Sequence, residues 1–143
     1  MNNPTTRQIA DQAFECLQNI WQGESHEPLL ALLAEEATYT MPAGQYRGEV
    51  AGQAQLVEMY QALRPYYEQP PLQTERVLRV LADEQTVVYE FTNHAVFPGN
   101  VPYHNQITFS CDIKDGKVAA YREYIGDISP VFLQFFLGIQ PPA

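Results

Sequence analysis

Basic residues are scarce in this chain: 8 of 143 residues are lysine or arginine against 17 aspartates and glutamates, a net charge of −9. Nucleic-acid binding needs a basic face to neutralise phosphates, and no run of lysines and arginines supplies one. The acidic balance instead keeps copies of a soluble protein apart by self-repulsion. Cysteine is scarcer still. Cys16 and Cys111 lie far apart with no histidine at ligand spacing, which points to two buried free thiols rather than a disulfide or a metal pair. Long apolar runs are also missing. The longest, around 29–34 and 131–139, fall well short of the ~20 residues of a membrane span. The polar start Met1-Asn2-Asn3-Pro4-Thr5-Thr6-Arg7 has no apolar middle region of a secretory signal. A cytoplasmic protein with neither a membrane nor a nucleic-acid partner is expected. Glycine-rich phosphate loops, nucleophile elbows and zinc spacings are absent as well, so no cofactor, no metal and no covalent serine chemistry are expected.

What is present is a single globular domain over residues 1–143, with 45% hydrophobic and 12% aromatic residues, enough to build one core. From Thr6 to Trp21 the apolar positions Ile9, Ala13, Phe14, Leu17, Ile20 and Trp21 follow a helical period, and Gly23 stands as a stop. A short helix is expected from Pro28 to about Ala34, with proline in its first turn. Ala37–Pro42 reads as a strand ended by a Pro-Ala-Gly turn, followed by a loop around Gly44 and Gly48. The third helix runs from Ala51 to Tyr67, with Leu56, Met59, Tyr60 and Leu63 on one side and Pro65 distorting or ending its last turn. After Pro70-Pro71 come four strand candidates, roughly 72–81, 86–97, 103–113 and 117–125. Asp115-Gly116 makes a hairpin turn between the last two. Ser129-Pro130 opens an apolar C-terminal helix.

Helices followed by a long antiparallel sheet define an α+β fold. A strongly bent sheet wrapped around one long helix leaves a cone-shaped pocket lined by alternate strand residues. Parity then sorts the side chains. Ala119, Tyr121, Glu123 and Ile125 share one face of the last strand. Asn105, Ile107, Phe109 and Cys111 form the apolar, inward set of the strand before it, and Tyr89, Phe91, Asn93 and Ala95 the equivalent set of the 86–97 strand. His104, Gln106, Thr108, Ser110 and Asp112, with Glu90, Thr92 and His94, belong outside.

Leu32-Leu33-Ala34-Glu35-Glu36-Ala37-Thr38-Tyr39-Thr40-Met41-Pro42, with Gly48 shortly after, resembles the helix–strand entry of the nuclear transport factor 2-like superfamily, within it the SnoaL-like and ketosteroid-isomerase-like proteins. The C-terminal third is similar to phenazine-biosynthesis A/B proteins, through Phe97-Pro98-Gly99, Tyr103, Asn105, Asp115-Gly116, Arg122-Glu123-Tyr124 and Leu137-Gly138-Ile139. The resemblance implies a cystatin-like cone: three N-terminal helices packed in a strongly bent, mainly antiparallel sheet with an internal pocket. It implies a homodimer that binds a small apolar or carbonyl-bearing ring compound, and a cofactor-free isomerase, cyclase or dehydratase of secondary metabolism, or else a non-catalytic binding or interaction module. The isomerase's own machinery is missing: its aspartate base matches Met41, its first-helix tyrosine falls near Cys16, and its protonated aspartate near Phe109. The glutamate that phenazine-type proteins place in the pocket matches Glu123, and their pocket histidine matches Glu75.

Glu123 is accordingly the candidate catalytic acid or base, since a carboxylate desolvated among aromatics has its pKa raised toward the working range. The other reading is a structural carboxylate bonded to a tyrosine or paired with Arg76 or Arg79. Tyr121, Tyr89, Phe91, Asn93, Asn105, Phe109, Tyr39, Trp21 and Glu75 are the candidate substrate-binding residues. Asn93 and Asn105 could orient a carbonyl or satisfy buried backbone groups. Trp21 and Tyr39, with Phe14 and Tyr60, sit where helix faces meet the sheet and serve either core or ligand. Glu75 would be a second acid. The apolar run Val131–Leu137 covers the pocket mouth or packs into a dimer.

Overall fold

The first helix starts where its cap dictates. The Thr5 hydroxyl accepts from the Gln8 amide at 3.1 Å, and the Thr5 amide donates to the Gln8 side chain at 2.8 Å, so two otherwise orphaned donors are satisfied. In the computed structural model, which describes residues 3–42, 46–68, 71–97 and 99–126 without the side chains of 66 and 68, helix α1 (Thr6–Trp21) then buries the apolar stripe from Ile9 to Trp21. Gly23 turns the chain at φ 91°, a left-handed conformation that favours glycine.

Helix α2 (Glu27–Leu30) is a single turn, shorter than the expected Pro28–Ala34. The Leu32 carbonyl accepts from the Val118 amide at 2.9 Å, and this pairing draws Leu33 and Ala34 into strand β1 (Leu33–Met41). Strand β2 (Gly48–Ala51) pairs with β1 where the sequence suggested loop; four residues are too few to show an alternating pattern. Helix α3 (Gln53–Glu68) continues through Pro65. Proline leaves the Gln61 carbonyl without its donor, and both residues are exposed, so water can replace the lost bond. Strands β3 (Gln73–Ala82), β4 (Thr86–Phe97), β5 (Val101–Lys114) and β6 (Lys117–Ile125) follow. Asp115 and Gly116 at the last turn have φ of 52° and 75°, the positive pair a two-residue hairpin requires. The apolar run Val131–Leu137 and the helix expected from Ser129 lie outside the described residues, as do Ala43, Gly44, Pro70 and Pro98.

The six strands form one sheet in the order β2-β1-β6-β5-β4-β3. Among the described strands only the β1–β6 pair is parallel. Helix α1 packs on the inner face through Phe14, whose ring lies 4.4 Å from Tyr89, 4.9 Å from Phe91 and 5.8 Å from Phe109. The inward sets expected for β4 and β5 are buried throughout. On β6 parity fails at one position. The register slips so that Asp112 faces Ala120 while Ile113 faces Val118, an extra residue that makes a bulge at Ala119. Val118 therefore points inward, and Ala119 borders an outer groove with Thr86 and Asp112. Tyr121 and Glu123, beyond the bulge, stay inside.

Candidate functional site

Glu123 faces Phe109 across β5 and lies in the row next to the Tyr121–Cys111 pair. It is 5% exposed, one of four buried polar residues in the described core. Its Oε1 has no hydrogen-bond partner among the described residues. A carboxylate without water, cation or full hydrogen bonding holds its proton more tightly. Burial accordingly pushes the Glu123 carboxyl up from an ordinary 4.5 to about 7, and a hydrogen bond with Tyr39 pulls it partly back. The pairing with Arg76 or Arg79 is not formed: Arg79 bonds Glu90 at 3.0 Å on the outer face, and Arg76 is exposed there.

Four tyrosines converge on this carboxyl. Tyr39 reaches it from β1, parallel to β6 and in register with Tyr121; the two rings are 4.6 Å apart. The Tyr60 and Tyr121 hydroxyls hydrogen-bond at 2.7 Å. Tyr67 completes the group from α3. Burial is the first cause that raises all four hydroxyls, and the negative charge of Glu123 adds to it in each case. Sequence reading placed Tyr60 among core aromatics and did not single out Tyr67. The signal was present, because Leu56, Met59, Tyr60, Leu63 and Tyr67 mark one helical face.

The remaining candidates separate. Phe109 stands directly beside Glu123. Phe91 is fully buried between Phe14 and Trp21, and Trp21 packs there, one row from the carboxyl, with its carbonyl accepting from the Leu72 amide at 2.9 Å. Tyr89 belongs to the helix–sheet seam rather than to the Glu123 group. Its hydroxyl donates to Asp11 on α1, because Phe14 stacks on its ring and directs it toward the helix. Asn93 and Asn105 form a cross-strand pair two rows from the carboxyl. Asn93 Oδ1 accepts from Thr74 at 3.2 Å while its Nδ2 is buried without a partner among the described residues, and Asn105 Nδ2 donates to the Tyr103 hydroxyl at 2.6 Å.

Glu75 is a correction. The β3–β4 register skips it, passing from Thr74–Asn93 to Arg76–Thr92. The bulge turns it to the outer face, where it lies 3.8 Å from His104 with its side chain 52% exposed. It is no second acid for the interior. Among the described residues no group of three or more histidines, cysteines, aspartates or glutamates is arranged to hold a metal ion, and no helix is long and apolar enough to cross a membrane. At the end of α1, Glu24, His26 and Arg64 border a tight crevice over Tyr60 and Tyr67 that is too narrow to admit a water molecule.

A six-stranded mixed sheet with α1 packed on its largely apolar inner face defines the cystatin-like class of α+β proteins. The chain belongs to the SnoaL-like domain family, whose model matches residues 15–121. No curated protein sequence matches it. Among solved structures it is similar to a nuclear transport factor 2-like protein of Anabaena variabilis, with 28% identity, a TM-score of 0.77, and 89% of this chain and 95% of that one covered. Two more distant likenesses show the fold alone. One is a protein of Xanthomonas campestris described as a proposed polyketide cyclase, with 19% identity, a TM-score of 0.63, and 84% and 92% covered. The other is a protein of Catenulispora acidiphila with a ketosteroid isomerase-like fold, solved in complex with trimethylamine, with 15% identity, a TM-score of 0.66, and 91% and 98% covered.

Proposed function

We propose that this protein binds a small carbonyl-bearing ring compound and that Glu123 moves a proton on it without a cofactor, in an isomerisation, cyclisation or dehydration. One observation carries the reading: a buried carboxyl with an unpartnered oxygen, poised near neutral pH, among tyrosine hydroxyls. A group with a pKa near the working pH is both a usable base and a usable acid. Phe109, Tyr121 and Tyr39 supply the aromatic wall beside it. The polyketide-cyclase description of the Xanthomonas campestris relative and the likeness of Arg122-Glu123-Tyr124 to phenazine-type proteins favour the same chemistry.

A second reading, a binding module without turnover, draws on the hydrogen bond between Tyr39 and Glu123, which gives the carboxyl a structural partner. A screen of cyclic ketones and polyketide-like aromatics against wild type and Glu123→Gln separates the two. Turnover reduced by about a hundredfold or more in the variant is expected for a general acid or base. Turnover unchanged in the variant refutes the role of Glu123, and binding without turnover in wild type establishes the second reading.

A further inference from the structure

Glu123 is buried, and the crevice that leads toward it is shut even to water. A ligand that reaches the carboxyl this way must first displace a side chain. The outer grooves at Tyr124 and at Ala119 touch none of the four tyrosines around Glu123. The crevice at the end of α1 touches two of them: Tyr60 and Tyr67 form its floor, and the Tyr60 hydroxyl bonds that of Tyr121 behind it at 2.7 Å. Of the residues above this floor, Ile20 belongs to the buried stripe of α1, while Glu24 and Arg64 are exposed at the rim. His26 differs from all three. It is half-buried, and its imidazole stacks on Tyr60 with ring centres 5.8 Å apart and planes 14° from parallel. Its backbone is anchored, because its carbonyl accepts from the Leu29 and Leu30 amides at 3.1 and 3.2 Å at the start of α2. Its side chain makes no capping hydrogen bond. A side chain on a fixed backbone, stacked and half in water, turns between rotamers far faster than a packed helix moves.

Resting on the acid–base reading of Glu123, we infer that His26 is the door of the site: its imidazole swings off Tyr60 to admit the ligand and so controls entry. A flat ring entering here takes the place of the imidazole on the Tyr60 face and regains the stacking that opening gives up, which a bulky aliphatic group cannot do. His26 thereby selects flat ligands while taking no part in the proton transfer.

Tetranitromethane, which nitrates the tyrosines it can reach, tests the door without a ligand. Peptide mass spectrometry follows each tyrosine, with exposed Tyr124 as the reference and Tyr103, buried away from the crevice, as the control for general loosening. A side chain reached through transient opening reacts in proportion to the open population. His26→Ala is expected to raise nitration of Tyr60 and Tyr67, relative to Tyr124, by roughly fivefold, the change in population that accompanies one lost stacked contact. Tyr103 should stay protected. His26→Trp, which lays a larger ring on Tyr60, should hold both rates at or below those of wild type. Rates that His26→Ala leaves unchanged overturn the assignment, as does faster nitration in His26→Trp. A rise shared by Tyr103 also overturns it, since the opening then belongs to the whole fold. Failure of the acid–base reading appears separately, as ketone turnover that survives in Glu123→Gln.

Discussion

Replacing Glu123 with glutamine removes the one buried carboxyl, among the described residues, whose proton the fold holds more tightly than the unfolded chain does. The native group titrates near 7 and the unfolded group near 4.5. Below 4.5 both states are protonated and the contribution is fully favourable. As pH rises through this window the unfolded chain ionises while the native one resists, so stability falls until the native group ionises as well, and then levels off. At about 1.36 kcal/mol per pH unit, the interval of two and a half units corresponds to about 3 kcal/mol. The glutamine variant has no such dependence. Urea unfolding of both proteins between about pH 4 and 8.5 should therefore show near-equal stability at the acid end and a relative gain for the variant of up to about 3 kcal/mol at the alkaline end, reduced by whatever the buried amide costs. Taking the difference cancels the carboxylates that titrate alike in both proteins, Asp112 among them. Parallel stability curves across this range would refute the reasoning, since they mean that Glu123 is ionised, and paid for by a partner, at every pH tested.

Two further perturbations test the frame that holds the site. Phe14→Ala empties the space between α1 and the Tyr89, Phe91 and Phe109 rings; about 3–5 kcal/mol of destabilisation is expected, measured by denaturant unfolding, and a loss below 1 kcal/mol would show that the helix is not seated there. Arg122 grips Asp112 with two bonds of 2.9 and 3.1 Å on the outer face, and Thr86 donates to the same carboxylate at 2.8 Å. Both partners are partly exposed, so a double-mutant cycle should give a coupling of only about 1 kcal/mol that shrinks in molar salt. The Arg122 guanidinium holds Asp112 below the ordinary carboxylate range, so this stability is present above pH 3.8 and lost as pH falls through the lowered value; a coupling that grew on acidification would be contrary to it.

Much of the fold was legible because its signals are local. The α1 stripe, the Gly23 stop, the β4 and β6 limits and the Asp115-Gly116 turn are each set by period or backbone preference within a few residues. The errors lie where long-range pairing overrides local pattern. Leu33 and Ala34 continue a helical pattern, yet β6 claims them as strand. β2 has no pattern of its own and exists because β1 offers it an edge. The Ala119 and Glu75 bulges are invisible to parity, since an extra residue shifts the side chains on one side of it while leaving the composition unchanged.

The sequence by itself determined that Glu123 and Tyr121 share an inward face, because alternation along a strand needs no partner. Only the tertiary structure decided what that face means. The parallel β1–β6 pairing sets Tyr39 beside Tyr121, α3 lowers Tyr60 and Tyr67 onto the same spot, and the Phe14 cluster draws Tyr89 away toward Asp11. Desolvation and hydrogen bonding depend on which elements close over a side chain. They turned an ordinary glutamate into a carboxyl poised near neutrality.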